Sequence, residues 1–448
     1  MAIVSFVEEG LGNSSYLVEL GDGRALVVDP PRDVSAHREA AEGRGLRIAY
    51  AIETHLHADF VSGSRELAAA GSTIVGARAA RLEFPHRGLD GGEEIDLGGL
   101  TLRAVATPGH TPEHLAYVLL DGARPLALFS GGALLPGSVA RTDLTGAEQT
   151  ESLARALYRA LRDGILSLPD DLPVYPTHGG GSFCSLDASG ERTTTIGRER
   201  ASNPLLAAPG EDAFVERLLA TFGSYPTYFR RLRDVNRRGP RVYGGLPTLE
   251  PLGLDEVDRL LADGAELVDV RPLDAFAAAH VPRSLSIALR SAFASWLGWL
   301  VPDDRPLVFV LDAGQDRRDL VRQCLLVGYE RLAGELAGGI EAWRDAGRPL
   351  ASTSVIRMPD AARGPIVDVR QASEYRAGHV PDAAPVELGS LAGGAAGLIP
   401  AGATIMCGHG ERAMSAASLA ERDGIPSAVF VGGPDRWSRR TGTPLVTG

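Results

Sequence analysis

Short apolar runs broken by polar turns dominate the first two hundred residues. Ala25-Leu26-Val27-Val28 and Thr73-Ile74-Val75 are runs of strand length bounded by Gly, Asp and Pro, with a few helical patterns between such runs. The alternation predicts an α/β or α+β region over residues 1 to about 205. Glu211 to Arg237 then shows helical periodicity with an Arg-rich face, stopped by Arg238-Gly239-Pro240. This predicts a helical extension that closes a first domain at residues 1–240. Beyond it the pattern repeats. Val268-Asp269-Val270-Arg271 recurs as Val367-Asp368-Val369-Arg370, and Ala279-His280-Val281-Pro282 as Gly378-His379-Val380-Pro381. Gly338-Gly339 with Trp343 likewise returns as Gly432-Gly433 with Trp437. Tandem domains of about a hundred residues each follow, over 245–350 and 352–448, and each reads strand, helix, strand, helix, as in a doubly wound parallel sheet.

Composition narrows the classes. A chain of 448 residues, 44% hydrophobic and 23% charged, suits two to four folded domains rather than a disordered segment. Three cysteines form too sparse and odd a set for a disulfide framework and imply a reducing, cytoplasmic setting. The net charge of −12 argues against a nucleic-acid partner, which favours a basic face. The opening Met1-Ala2-Ile3-Val4-Ser5-Phe6-Val7-Glu8-Glu9 lacks the basic region of a secretory signal. The longest apolar stretch, Ala292 to Val301, is far short of the roughly 20 residues that span a bilayer, so no membrane partner is expected. All 45 basic residues are Arg, which reads as codon bias rather than as function.

The strongest chemical signal lies in the last repeat. The strand pattern Ala403-Thr404-Ile405-Met406 runs into Cys407-Gly408-His409-Gly410-Glu411-Arg412 and then into a helical pattern from Ala413 to Arg422. A six-residue loop between strand and helix can curl its backbone N–H groups around an anion, with the helix N-terminus adding partial positive charge. Such a setting favours thiolate, and the same cradle (Gly408, His409, Gly410, Glu411) can hold the outer sulfur of a persulfide on Cys407, with Arg412 closing the loop. Asp368-Val369-Arg370, His379-Val380-Pro381, this loop and Gly432-Gly433 with Trp437 together resemble the rhodanese family. In that resemblance a six-residue loop goes with sulfur and a longer one with phosphate. Glu411, an acid in an anion cradle, favours a neutral or thiol-bound donor over thiosulfate. In the preceding repeat Asp312-Ala313-Gly314-Gln315-Asp316-Arg317 falls in register, with Asp312 where the nucleophile would stand. A carboxylate cannot accept sulfane sulfur, so that copy resembles the inactive rhodanese domains. Cys184 and Cys324 read as buried structural residues.

Five histidines fall in three segments of the first domain: Thr54-His55-Leu56-His57-Ala58-Asp59-Phe60, Thr107-Pro108-Gly109-His110-Thr111-Pro112-Glu113-His114, and Tyr175-Pro176-Thr177-His178-Gly179. Each follows an apolar strand and opens into a turn, so strand ends converge, and convergent imidazoles with a carboxylate suit a transition metal. The segments resemble the metallo-β-lactamase fold, an αβ/βα sandwich. Thr107 to Thr111, Ala140-Arg141-Thr142-Asp143-Leu144, Gly179-Gly180-Gly181-Ser182-Phe183-Cys184 and Thr195-Ile196-Gly197-Arg198-Glu199 with Asn203-Pro204 look most like its persulfide dioxygenase branch. Fusion to two rhodanese domains, the first inactive, is an arrangement of that branch. The resemblance implies one non-haem Fe(II) held by two His and one Asp. The matching histidines are His55 and His110. The Asp is expected in a Thr-Gly-Asp turn, but here the turn reads Ser130-Gly131-Gly132, and Phe60 replaces a second-site His. His57, Asp59 and His178 are the further candidate ligands.

The leading expectation is thus a bifunctional sulfur enzyme. It oxidises a low-molecular-weight thiol persulfide to sulfite with iron and O2 and moves sulfane sulfur through Cys407, with thiosulfate as a further product. The alternatives are a sulfurtransferase whose first domain is a metal-free scaffold, and a thioester hydrolase of the glyoxalase II type, which lacks its ligands here. The resemblance also implies a homo-oligomer.

Overall fold

The computed structural model describes residues 2–185 and 190–448. Two compact units make up the chain: residues 1–247 with 325–328, and residues 248–324 with 329–448.

The first unit is built on two six-stranded sheets. In one, Ile3–Glu8, Asn13–Glu19 and Arg24–Val28 pair antiparallel, and Arg47–Ile52, Thr73–Ala77 and Arg87–Leu89 continue in parallel. The other runs Thr194–Thr195, Pro173–Pro176, Arg124–Gly131, Leu115–Asp121, Thr101–Ala106, Glu94–Asp96. Because side chains alternate along a strand, each strand can serve two layers. Tyr16, Val18, Leu26 and Val28 from one sheet join Leu102, Tyr117, Leu119 and Phe129 from the other in one core between the sheets. Their neighbours Leu17, Ala25 and Val27 face outward to Ala41 and Leu67 on helices Ser35–Glu42 and Ser64–Ala69. Ala116, Val118, Leu120 and Leu128 likewise meet Ala154, Leu157 and Leu161 of helix Ala147–Asp163. The result is the αβ/βα sandwich of the metallo-β-lactamase fold.

The helical extension differs from its expected form. In place of one helix over Glu211 to Arg237 there are two, Glu211–Ala220 and Phe229–Arg238. The break contains Gly223 and Pro226. Proline has no N–H to continue a helical ladder, and glycine weakens a helix, so the apolar periodicity survives while the backbone turns.

The second unit holds two five-stranded sheets of identical order, with every pair parallel. In each, the central strand (Leu307–Val310 or Ala403–Met406) is buried and delivers its following loop to the carboxyl edge of the sheet, where ligands bind in this topology. The repeated sequence signatures are structural. Arg271 and Arg370 fold back on Asp269 and Asp368 with Nη2–Oδ2 distances of 2.6 and 2.7 Å. His280 and His379 stack on Phe276 and Tyr375, with centroids 3.9 and 3.7 Å apart. No helix among the described residues is long and apolar enough to cross a membrane.

Candidate functional site

In the first unit, the strand ends bring His55, His110 and His178 together, all buried, with ligand atoms within 4.8 Å of one another. Hydrogen bonding commits one nitrogen of each ring. His110 Nδ1 donates to the Arg141 carbonyl at 2.7 Å. Thr54 donates its hydroxyl to Asp29 (2.7 Å), so its oxygen accepts from His55 Nδ1 at 2.8 Å. His178 Nδ1 faces Asn13 Oδ1 at 3.2 Å and Asp59 Oδ2 at 3.4 Å, both acceptors. With every Nδ1 engaged as a donor, the Nε2 atoms carry lone pairs, and those of His55 and His178 face each other at 3.4 Å. Burial and the neighbouring imidazoles hold His55 and His110 well below the ordinary histidine range, so both are neutral. Converging neutral imidazole lone pairs repel unless a cation lies between them. This is the donor set of a transition-metal site, and the residues fit one.

The remaining candidates lie around that set. His57 stays outside it: Nε2 contacts Asp29 Oδ1 at 3.1 Å and Glu53 Oε2 at 3.2 Å. Burial works against its charge, but the two carboxylates outweigh burial and push it up to about 10, so His57 is an imidazolium. Its ring stacks on Phe60, 4.2 Å between centroids. Asp59 accepts from Asn13 Nδ2 at 2.8 Å and faces His178, a partner that orients the ring.

The turn that lacks the expected carboxylate has its own architecture. His114 Nε2 accepts from the Gly132 N–H at 2.9 Å while Nδ1 bonds Thr107 Oγ1 at 2.7 Å, and burial drives its pKa down to about 3. A Cβ at Gly132 would meet the His110 ring at 2.7 Å. The His110 imidazole therefore lies against the space a side chain would need.

Asp29, Glu53 and Asn13 are site residues that the motif reading did not include. Asp29, in a left-handed conformation (φ 48°), ties together Thr54, Thr177 and His57. The available signal was its position, directly after the apolar run Ala25 to Val28 and before Pro30-Pro31.

In the second unit, Cys407 follows the central strand and the loop ends as helix Glu411–Arg422 begins. Cys407 is 1% exposed, and its Sγ accepts from the Gly410 N–H at 3.0 Å. Gly433, at φ 65°, lets the following turn press on the loop, where a Cβ would meet the Gly408 carbonyl oxygen at 2.4 Å. Arg412 is turned to Glu374, with contacts of 2.6 and 2.7 Å. Its guanidinium also lies 5.8 Å from the Trp296 ring. His409 is exposed, and Glu411 lies 4.0 Å from Arg290. Cys184 and Cys324 are fully buried, and burial raises both thiols.

Comparison with known proteins places each unit in a known family. Residues 9–178 match the metallo-beta-lactamase superfamily, and residues 253–346 and 353–440 each match the rhodanese-like domain. The mitochondrial persulfide dioxygenase of Homo sapiens is 32% identical over 207 residues, which span 44% of this chain and 73% of that protein. A hydroxyacylglutathione hydrolase of Methylococcus capsulatus is 36% identical over 170 residues, 37% of this chain and 62% of that protein. A solved metallo-beta-lactamase from Staphylococcus aureus superposes with a TM-score of 0.66 at 26% identity, covering 75% of this chain and 98% of its own. With its converged histidines in one fold and Cys407 in another, the chain belongs to the metallo-β-lactamase superfamily, among the homologues of persulfide dioxygenases, and carries two rhodanese-like domains fused to that fold.

Proposed function

We propose that this chain is a bifunctional enzyme of sulfur metabolism that oxidises a low-molecular-weight thiol persulfide to sulfite in its first unit and carries sulfane sulfur on Cys407 in its second. The net oxidation is RSSH + O2 + H2O giving RSH, sulfite and two protons. The observation that carries the reading is the set of three Nε2 lone pairs converging from His55, His110 and His178, in a domain similar to a persulfide dioxygenase.

These three residues would hold a single iron, which supplies the redox chemistry that lets O2 react with sulfur. The chain's own contribution is positional. Thr54, the Arg141 carbonyl and the Asn13–Asp59 pair hold the rings with their lone pairs inward. Asp29 and Glu53 keep His57 charged and outside the donor set.

Cys407 attacks the outer sulfur of a persulfide, releasing RSH and leaving Cys407–S–SH. Sulfite then takes that sulfur, giving thiosulfate and the free thiol. The Gly410 N–H stabilises the Cys407 thiolate that attacks in the first step and is released again in the second. Arg412 is neutralised by Glu374 and Glu411 is close to Arg290, so the loop has little spare positive charge, which favours a thiol-bound donor.

O2 uptake by iron-loaded protein with a persulfide substrate tests the reading. Uptake that disappears in His178→Ala and persists in Cys407→Ser is expected; no uptake by the iron-loaded wild type overturns the oxidation half. Gly132, in place of the expected carboxylate, is the observation favouring a plain sulfurtransferase, under which Cys407→Ser removes all activity.

A further inference from the structure

Helix Glu411–Arg422, which begins at the end of the Cys407 loop, is buried at every residue from Ala413 to Ala420. A helix on the outer face of a doubly wound sheet ordinarily shows one side to water, so a second surface covers this one. The inactive repeat supplies it. Ser415 and Ser418 lie one turn apart, and their buried hydroxyls need partners. Ser415 Oγ donates to the Ser286 carbonyl at 2.6 Å, and Ser418 Oγ accepts the Ser286 N–H at 3.1 Å. Ser286 lies on Leu285–Ser286, an edge strand of the first repeat's sheet, so the helix satisfies backbone groups that an edge leaves open.

The contacts are densest at the far end of the helix. Glu421 meets His280 Nε2 at 2.8 Å with one oxygen and accepts the Arg283 N–H at 3.0 Å with the other. Arg283 Nη1 donates to the Arg422 carbonyl at 2.9 Å, and Arg422 Nε donates to the Arg283 carbonyl at 2.8 Å. Arg422 also pairs with Glu266. The His280 ring is thereby shared between the repeats, because its Nδ1 donates to the Phe276 carbonyl at 2.8 Å. His379, at the same place in the second repeat, hydrogen-bonds through its side chain only to the Tyr375 carbonyl among the described residues. One motif thus serves two purposes in the inactive copy and one in the active copy.

The near end of the helix carries the chemistry. Gly410 accepts the Met414 N–H at 2.8 Å, while its own N–H donates to Cys407 Sγ at 3.0 Å. Leu273 of the inactive repeat presses on the same residue, where a Cβ would meet its Cδ1 at 2.8 Å. A helix of about 18 Å is stiff over its length, so holding its last turn fixes the direction of its first.

We infer that the inactive repeat is a working part of the sulfur-transfer site: Glu421, held by His280 and Arg283, is a positioning residue that fixes helix Glu411–Arg422 and, through Gly410, keeps a hydrogen-bond donor on Cys407 Sγ. This rests on the sulfur-carrying role proposed for Cys407 and adds the residues outside the loop that set its geometry.

Sulfur transfer from thiosulfate to cyanide by the full chain tests the inference. The outer sulfur of thiosulfate joins the Cys407 thiolate as sulfite leaves with the electron pair of the broken S–S bond. Cyanide then takes that sulfur as thiocyanate and frees the thiolate. Glu421→Ala is expected to lower kcat about five- to tenfold and to leave the KM for thiosulfate within about twofold, because the misaimed donor acts on the reacting sulfur. Glu421→Gln, which keeps an acceptor for only one of its two donors, should fall between. Where Glu421→Ala does not fold, Ser415→Ala combined with Ser418→Ala is read in the same way. A wild-type kcat in Glu421→Ala, or a loss expressed in KM alone, overturns the inference. Persulfide on Cys407, measured by mass spectrometry after incubation with glutathione persulfide, keeps the two ideas apart. None in the wild type removes the sulfur-carrying reading, whereas normal persulfide with unaltered turnover in Glu421→Ala removes only the positioning role.

Discussion

The loops Cys407 to Arg412 and Asp312 to Arg317 sit at the same edge of twin sheets and use their backbones in opposite ways. In the first, the Gly410 N–H is aimed at Cys407 Sγ, and Arg412 pairs with Glu374. In the second, Gln315 reaches back into its own loop, accepting from the Asp312 N–H at 2.9 Å and donating to the Val270 carbonyl at 2.7 Å. Arg317 Nη1 donates to the carbonyls of residues 312, 313 and 315 at 2.9, 3.1 and 2.7 Å. The copy without a nucleophile has thus turned its loop into a closed, self-bonded cap. A sulfur atom placed at residue 312 would therefore meet a loop already bonded to itself.

The largest expected effect that separates the two loops is that of Cys407→Ser, which should lower sulfur transfer to cyanide by about a thousandfold or more, since a hydroxyl does not form the persulfide. Gly433→Ala comes next. Its Cβ would strike the Gly408 carbonyl, and φ 65° costs a non-glycine residue about 1–2 kcal/mol, so a lower melting temperature and about tenfold slower transfer are expected. Glu374→Gln should act more gently, by freeing Arg412 for an anion and lowering the KM for thiosulfate about threefold. The same variant carries a pH signature. Burial raises the Glu374 carboxyl, but the hydrogen bonds and charge of Arg412 outweigh it and hold the group below its ordinary 4.5. The pair therefore contributes stability above that pH and loses it as pH falls through the lowered pKa. The melting-temperature gap between wild type and variant should accordingly close in acid. The smallest effect is expected from Asp312→Cys placed in the Cys407→Ser background. With Gln315 and Arg317 filling the loop, no persulfide adduct should appear by mass spectrometry. A clear adduct would show that the first copy lacks only its nucleophile.

The strand, loop and helix around Cys407 and around Asp312 could be read in one dimension because they are contiguous in the chain. The histidine centre could be read only in part. Its motifs singled out His55 and His110 with three further candidates, but which candidates face inward depends on groups on other strands. His57 is drawn away by Asp29 and Glu53, whereas Asn13 and Asp59 aim the His178 ring at His55. Only Glu53, four residues before His57, is a local partner; Asp29 and Asn13 come from distant segments. The helical extension shows the same limit: its apolar period was clear, but the turn at Gly223 to Pro226 was not expected.

By itself the sequence determined the αβ/βα sandwich, the tandem parallel sheets and the strand–loop–helix junction at Cys407, because strand alternation, repeated signatures and such a junction are all encoded by neighbours. Tertiary structure alone decided the neutral state of His55, His110 and His114 and the filling of the space beside Gly132 by His110. Those properties depend on burial and on which charged partners meet through space, and distant segments supply both.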